Sequence, residues 1–146
     1  MNATGMGVLR ASLWILATIE LVLGVWNQFW PESFYRDVPT VDVTPPFSEH
    51  YARDFGGATL GIAVLLVVAA ILPRTALAPV AGLAYKAFAL PHFVFHVGHL
   101  HGATQLEASI LTLANGAGLA LGVLVVVLGL VALRRRGAST PQTVAS

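Results

Sequence analysis

The sequence contains no cysteine, so disulfide bridges, thiolate metal ligands and cysteine nucleophiles are all excluded. Charged residues are scarce as well: they make up 10% of the chain, against about 25% in an average soluble domain. So few charges cannot cover a water-facing surface, whereas hydrophobic residues reach 56%. The net charge is only +1, and no basic face exists outside the C-terminal tail, which argues against a nucleic-acid partner. The composition indicates a single domain whose apolar surface is in contact with the lipid bilayer.

Four apolar segments are each about 20 residues long or longer, which is the length that a helix needs to cross a bilayer. They predict helices over residues 8–30, 49–72, 75–100 and 105–133. The first segment is too long for a signal peptide and no small-residue cleavage motif follows it, so we expect it to remain as a membrane helix. The predicted fold is an all-α bundle of four transmembrane helices over residues 1–133, followed by a basic stop and a disordered tail over residues 134–146.

Residues 31–48 differ in composition from the apolar segments on either side. Four prolines in this range argue against a continuous helix, and its charged residues require water. We predict a loop outside the membrane, which ends where Ser48 caps the second helix.

The distribution of basic residues predicts the orientation of the chain. With both termini on one side, that side holds five arginines and no acidic residue: Arg10, Arg74, Arg134, Arg135 and Arg136. The opposite side holds basic and acidic residues together. The positive-inside rule therefore predicts a multi-pass protein of the plasma (inner) membrane with both termini in the cytoplasm.

Two charged residues fall inside the predicted helices. Glu20 and Lys86 come to similar depths, because each lies ten to twelve residues beyond an arginine at the same face, and Asn115 reaches the middle from the other side. An unpaired charge at that depth costs at least about 2.5 kcal/mol. We expect a buried Glu20–Lys86 ion pair, hydrogen-bonded by Asn115, that fixes helix packing; the alternative is a proton or ion carrier.

Histidines are concentrated where the third segment ends. His92, His96 and His99 follow an i, i+4, i+7 spacing and share one helix face. His50 and Asp54 are spaced i, i+4 at the start of the second helix, and antiparallel packing would bring them to the same level. The predicted cluster of imidazoles and carboxylates comprises His50, Asp54, His92, His96, His99, His101 and Glu107. These residues can be ligands for zinc, non-haem iron or haem iron. The residues favour a hydrogen-bonded structural or pH-responsive cluster over a bound metal or haem, and an acid/base catalyst that acts on a lipid or isoprenoid is a third alternative.

Two glycine pairs predict faces where helices approach closely. Gly57 and Gly61 continue the stripe of His50 and Asp54, and Gly118 and Gly122 form a second such face on the fourth helix. We expect these faces to pack helices within the chain or between copies of it.

The stretches FSEHYARDFGG (residues 47–57) and PHFVFHVGHLH (residues 91–101) resemble motifs of four-helix membrane proteins of actinobacteria, including mycobacteria. In that pattern Ser48 stands where asparagine is expected. The resemblance extends over about residues 8–133, and in architecture alone the chain is similar to DoxX-like proteins. The resemblance implies an inner-membrane protein with an outer polar site and assigns no activity.

The sequence favours a binding or assembly role over an enzymatic one. The expected partners are the lipid bilayer, other membrane or cell-envelope proteins, and further copies of the chain. The alternative is a membrane enzyme or redox protein that holds a metal or haem in the histidine cluster. A carrier that uses Glu20 and Lys86 ranks behind both.

Overall fold

In a computed structural model, which describes residues 1–43 and 46–137, the chain forms helices and turns, and these residues contain no strand. Four helices are long and apolar enough to cross a membrane. They are α1 (Ala3–Phe29), α3 (Glu49–Ile71), α4 (Leu77–Gly98) and α5 (Gln105–Gly137), with a short α2 (Pro31–Asp37) after α1. The prediction of an all-α protein with four helices able to span a membrane is confirmed.

The ends of the helices follow local capping chemistry. The side chain of Asn2 accepts a hydrogen bond from the Gly5 amide at 3.0 Å, so α1 begins at Ala3 and not at residue 8. Ser48 caps α3 as predicted, accepting from the Tyr51 amide at 3.4 Å. Helix α5 continues beyond residue 133 through the arginines to Gly137. The end of the apolar run is therefore not the end of the helix, and the predicted tail over residues 138–146 lies outside the described residues.

The predicted loop over residues 31–48 contains helical structure. Helix α2 begins at Pro31, and a 3₁₀ turn follows at Val41–Val43. Proline is compatible with the first turn of a helix because the amide hydrogen that it lacks has no partner there. The number of prolines alone therefore underestimates how much helical structure this segment contains.

The four long helices pack as two close pairs, α1 with α3 and α4 with α5, and contacts of α1 with α5 and of α3 with α4 join the pairs. The apolar core lies in the half of the bundle that contains the start of α1 and the end of α5. Its fully buried large side chains are Leu9, Leu13, Leu16, Leu66 and Val125. We call this half the arginine end, because Arg74 and Arg134–Arg136 lie there, and the opposite half, with His50 and His96, the histidine end.

Packing at the histidine end is uneven. Helix α1 remains in close contact with α3 there, since Asn27 and Gly56 are both buried. By contrast, α5 has no buried residue between Gln105 and Leu121, and Leu106, Ile110 and Leu113 are 69%, 54% and 72% exposed. The histidine end therefore presents more side-chain surface to its surroundings than the arginine end.

The close approach of α1 to α3 occurs at Gly56. A Cβ atom at this position would lie 2.5 Å from the Gln28 amide nitrogen, whereas one at Gly57 would meet only the Gln28 side chain at 3.4 Å, and one at Gly61 would meet nothing within 4 Å. One residue turns a helix by about 100°. The predicted face of Gly57 and Gly61 therefore lies beside the contact and not in it.

The second glycine pair lies under an aromatic side chain of α4. Tyr85 covers Gly118 and Gly122 of α5, with its Oη atom 2.6 Å and its Cδ1 atom 2.7 Å from the respective Cβ positions. Side chains at these two positions would displace the ring. Gly118 and Gly122 thus serve packing within the chain.

Candidate functional site at the histidine end

Helix α2 is fixed across the end of α1 by a chain of hydrogen bonds. The Trp26 indole nitrogen donates to the Ser33 hydroxyl at 3.0 Å, and that hydroxyl donates to Asp37 at 2.8 Å. The rings of Trp26 and Phe34 also meet edge to face, with centroids 5.8 Å apart. These contacts hold α2 in one orientation relative to the bundle.

Arg36 completes this chain of polar contacts. Its Nε and Nη2 atoms donate to the two carboxylate oxygens of Asp37 at 2.8 and 3.1 Å. The hydrogen bond from Arg36, followed by that from Ser33, lowers the pKa of Asp37, and the same pairing with Asp37 raises the pKa of Arg36. Both groups therefore remain charged at neutral pH.

Arg53 links the first turns of α3 to the end of α1. Its Nη1 atom donates to the Gln28 carbonyl oxygen at 2.6 Å, while Nε and Nη2 donate to Glu49 Oε1 at 2.9 and 2.8 Å. The last carbonyl groups of a helix have no partner within the helix, and a cation stabilises them. Arg53 thus supplies a partner that the sequence of α1 lacks.

A cavity of about 380 Å³ opens between α2 and the start of α3. Its walls combine aromatic rings with charges of both signs. The lining residues are Phe29, Trp30, Pro31, Glu32, Ser33, Arg36, Glu49 and Arg53.

The side chains of His50 and Asp54 lie close together along one side of α3. The His50 Nε2 atom lies 3.4 Å from Asp54 Oδ2, and the two side chains are 89% and 68% exposed. The residue that α3 directs towards α4 is Phe55, whose ring lies 5.6 Å from that of Phe88 and 6.5 Å from that of His92. The pair therefore lies on the surface and not in the contact between helices.

His92 and His96 continue an aromatic row along α4. The His92 ring lies 5.0 Å from Phe88 and 4.4 Å from His96, measured between centroids. Both histidines are half-buried. Their spacing of one helical turn places the two imidazoles side by side, as predicted from the i, i+4 pattern.

His99 and His101 occupy the end of α4 and the turn that follows. The His99 ring stacks on Phe95 at 4.0 Å, and its Nδ1 atom lies 2.7 Å from the Phe95 carbonyl oxygen. Because a carbonyl oxygen can only accept, Nδ1 carries the proton, and His99 caps its own helix. His101 is exposed in the turn before α5.

Glu107 takes part in a capping box at the start of α5. Its Oε2 atom accepts from the Thr104 amide and from the Thr104 hydroxyl, both at 2.8 Å, and the Glu107 amide donates to that hydroxyl at 3.3 Å. This arrangement satisfies the free amides of a helix start. The local cap accounts for the position of the Glu107 carboxylate.

The structure does not bring the predicted ligands into one group. Among residues 1–43 and 46–137, no three histidine, aspartate or glutamate side chains lie close enough together to hold a metal ion. Histidines at i, i+4 and i+7 follow one another along the helix axis, about 5 Å apart for each turn, and do not surround a point. His50 and Asp54 face away from them, and Glu107 is bound to Thr104.

The intramembrane residues are also apart. Glu20 is 3% exposed, and its Oε2 atom has no hydrogen-bond partner among residues 1–43 and 46–137. Within the described part of the chain no ion pair joins Glu20 to Lys86, and Asn115 donates to Leu111 of its own helix at 2.9 Å. Equal depth does not ensure an equal direction, and Tyr85, not Lys86, takes the buried position on α4.

Sequence reasoning predicted that Glu20 is buried, but it missed Asn27 and Gly24, which share one helix face with Glu20 and the core leucines. The Asn27 Oδ1 atom is buried and has no hydrogen-bond partner among the described residues. The i, i+4, i+7 spacing of these three residues was the available signal. No sequence spacing predicts the hydrogen bonds of Trp26 with Ser33 and of Arg53 with Gln28, because these bonds depend on how α2 and α3 pack against α1.

A family model described as a domain of unknown function (DUF4345) matches residues 8–94. The matched range contains α2, α3 and most of α1 and α4, including Lys86 and His92, while His96, His99 and all of α5 follow it. Neither the curated proteins nor the solved structures contain a match to the chain.

Proposed function

We propose a function from the geometry of the histidine end, because the chain belongs to a family, the domain of unknown function DUF4345, to which no activity is assigned. The protein is a small multi-pass membrane protein that binds or assembles with another membrane or cell-envelope protein. The histidine end is its recognition surface, and we place this end outside the cytoplasm.

The observation that carries the proposal is the exposed His50–Asp54 pair. Both side chains lie largely in solvent and contribute nothing to the contact of α3 with α4. An exposed ion pair stabilises a fold by only about 0–1 kcal/mol, so bundle stability does not account for it. An imidazole and a carboxylate one helical turn apart, outside the contacts between helices, suit the recognition of a polar partner group.

The surroundings of this pair support a preorganised surface. The contacts of Arg36 with Asp37, of His50 with Asp54 and of Arg53 with Glu49 lie at the histidine end, and the first and the third of them border the cavity beneath α2. Arginine and aromatic residues, which line that cavity, are enriched at the energetic centres of protein interfaces. Since Trp26 and Arg53 already fix α2 and α3, binding would order few further groups.

The charge distribution supports the location. Arg74, Arg135 and Arg136 gather at the opposite end around a shared cavity. Basic residues mark the cytoplasmic side of membrane proteins. With that end in the cytoplasm, the plasma membrane separates it from the recognition surface.

Cross-linking from single cysteines tests the proposal, because the natural chain has none. We expect a thiol-reactive photo-cross-linker on His50→Cys or Glu32→Cys to give one discrete adduct in native membranes. Val64→Cys on the exposed side of α3 and Arg134→Cys at the arginine end are the matched controls, and neither should give that adduct.

The mass of the adduct then identifies the partner class. An adduct of twice the mass of the chain means self-association, and any other discrete mass means a different protein. Equal cross-linking from all four positions, or none from His50→Cys, would reject the recognition surface.

The adjacent imidazoles of His92 and His96 support a second candidate, a metal- or haem-dependent enzyme or redox protein. Their ring centroids lie 4.4 Å apart, so two nitrogen ligands are available from one helix. Zinc, iron or haem would need its remaining ligands from outside this pair. Stoichiometric metal in purified protein, lost in His96→Ala, would favour this candidate over the binding role.

A further inference from the structure

A second cavity, of about 590 Å³, lies at the arginine end of the bundle. It forms where the start of α1, the turn between α3 and α4 and the last turn of α5 meet. Its lining residues are Met1, Met6, Arg74, Ala132, Arg135 and Arg136. None of these residues belongs to the recognition surface at the histidine end.

The charge of this cavity has one sign. Among the described residues that line it, the charged side chains are the three guanidinium groups of Arg74, Arg135 and Arg136. Arg136 donates through Nη1 to the Arg74 carbonyl oxygen at 3.3 Å, which ties the last turn of α5 to the turn between α3 and α4. Arginines from two separate parts of the chain are thereby held around one space.

The rest of the wall is apolar. Met1, Met6 and Ala132 line the side of the cavity that continues into the core, where Met1 and Met6 pack against buried residues and Ala132 is 6% exposed. The cavity thus has a cationic rim and an apolar floor at the limit of four membrane-spanning helices. A ligand that fits it carries an anionic group beside an apolar part.

We propose that this cavity binds the phosphate of an anionic phospholipid. The planar guanidinium group matches phosphate oxygens in a two-pronged geometry, and basic pockets between transmembrane helices accept anionic headgroups. The apolar part of the lining favours a lipid over free inorganic phosphate, because only the lipid brings an acyl chain to cover the half-buried side chains of Met1 and Met6. The lipid would bridge α5 and the α3–α4 turn at the membrane edge.

Native mass spectrometry of the delipidated full-length protein in detergent tests this site. We expect phosphatidylglycerol to remain bound at concentrations where phosphatidylcholine does not. Arg135→Gln should weaken phosphatidylglycerol binding about fivefold, and the combination with Arg74→Gln about twentyfold, because each basic residue near an anionic lipid contributes about that factor. Arg134→Gln removes the same charge from an exposed neighbour that does not line the cavity, and it should leave binding nearly unchanged.

Each other outcome contradicts the proposal. Equal loss in Arg134→Gln and Arg135→Gln would mean general charge attraction without a site. Equal retention of both lipids would mean that the cavity does not recognise the anionic headgroup. Displacement of the lipid by equimolar inorganic phosphate would mean that the ligand is free phosphate. If the double variant does not give a folded circular dichroism spectrum, the comparison of the two single variants decides.

Discussion

Replacing Gly56 with alanine is expected to destabilise the bundle by about 1–2 kcal/mol. The added Cβ atom would lie 2.5 Å from the amide nitrogen of Gln28, 2.9 Å from its Cα atom and 3.0 Å from the carbonyl carbon of Asn27. All three are backbone atoms of α1, so no side-chain rotation can relieve the contact, and α1 and α3 must separate. Overpacking typically costs about 1–3 kcal/mol and sometimes more, against a gain of about 1 kcal/mol in helix propensity. Unfolding in detergent, followed by circular dichroism, measures the loss.

Gly61→Ala is the matched control on the same helix. A Cβ atom there meets nothing within 4 Å, so the variant should keep the stability of the natural chain or gain up to about 1 kcal/mol. Gly57→Ala, whose nearest neighbour is the flexible Gln28 side chain at 3.4 Å, should lie between the two. The reverse order, with Gly61→Ala the most damaging, would place α1 on the other face of α3.

Replacing Glu20 with methionine is expected to stabilise the protein by about 1–3 kcal/mol. Glu20 is 3% exposed and lies on the face of α1 that carries Leu13 and Leu16, and its Oε2 atom finds no hydrogen-bond partner in the part of the chain that the structure describes. A buried polar group without a compensating hydrogen bond costs about 1–3 kcal/mol in protein mutational data. Methionine is of similar length and adapts to the neighbouring apolar side chains. The same detergent unfolding experiment measures the gain.

Lys86→Met and the double variant separate this expectation from a buried ion pair. Since the structure gives Glu20 and Lys86 no contact in the described residues, their effects should add to within about 0.5 kcal/mol. If Glu20→Met instead destabilises the protein and the double variant restores it, the two charges are paired. That result would also reopen a carrier role for the two residues.

The fold was predictable to the level of elements because a membrane imposes a simple rule. A helix that crosses a bilayer needs a continuous apolar run, and four such runs gave four helices close to their predicted ends. The prolines of residues 31–48 argue against a helix and so do not predict α2, whereas the first turn of a helix, where Pro31 lies, tolerates proline.

The direction in which each side chain points was less predictable. Lys86 and Tyr85 differ by one residue, and so do Gly57 and Gly56, yet in each pair only the second is buried. In a soluble helix a polar stripe would reveal the outer face, but in these helices lipid-facing and core-facing residues are both apolar. Hydropathy therefore predicts how deep a residue lies in the membrane, but it does not predict which side of the helix the residue faces.

In the candidate site, too, some contacts could be predicted from the sequence and others could not. The His50–Asp54 and Glu49–Arg53 pairs each lie on one helix, so their spacing alone predicts the contact. The wider cluster required α3 to direct His50 towards α4, and the packing of Phe55 against Phe88 directs it away. Contacts within a helix could be predicted from the sequence, and contacts between helices could not.

The most direct test of the proposed recognition surface is thiol labelling of intact cells that express the protein. A membrane-impermeant maleimide should label His50→Cys in intact cells, and it should label Arg134→Cys only after the membrane is permeabilised. This pattern is the one that an outward-facing histidine end and a cytoplasmic arginine end require. Labelling of Arg134→Cys in intact cells, with His50→Cys protected until permeabilisation, would contradict the proposal.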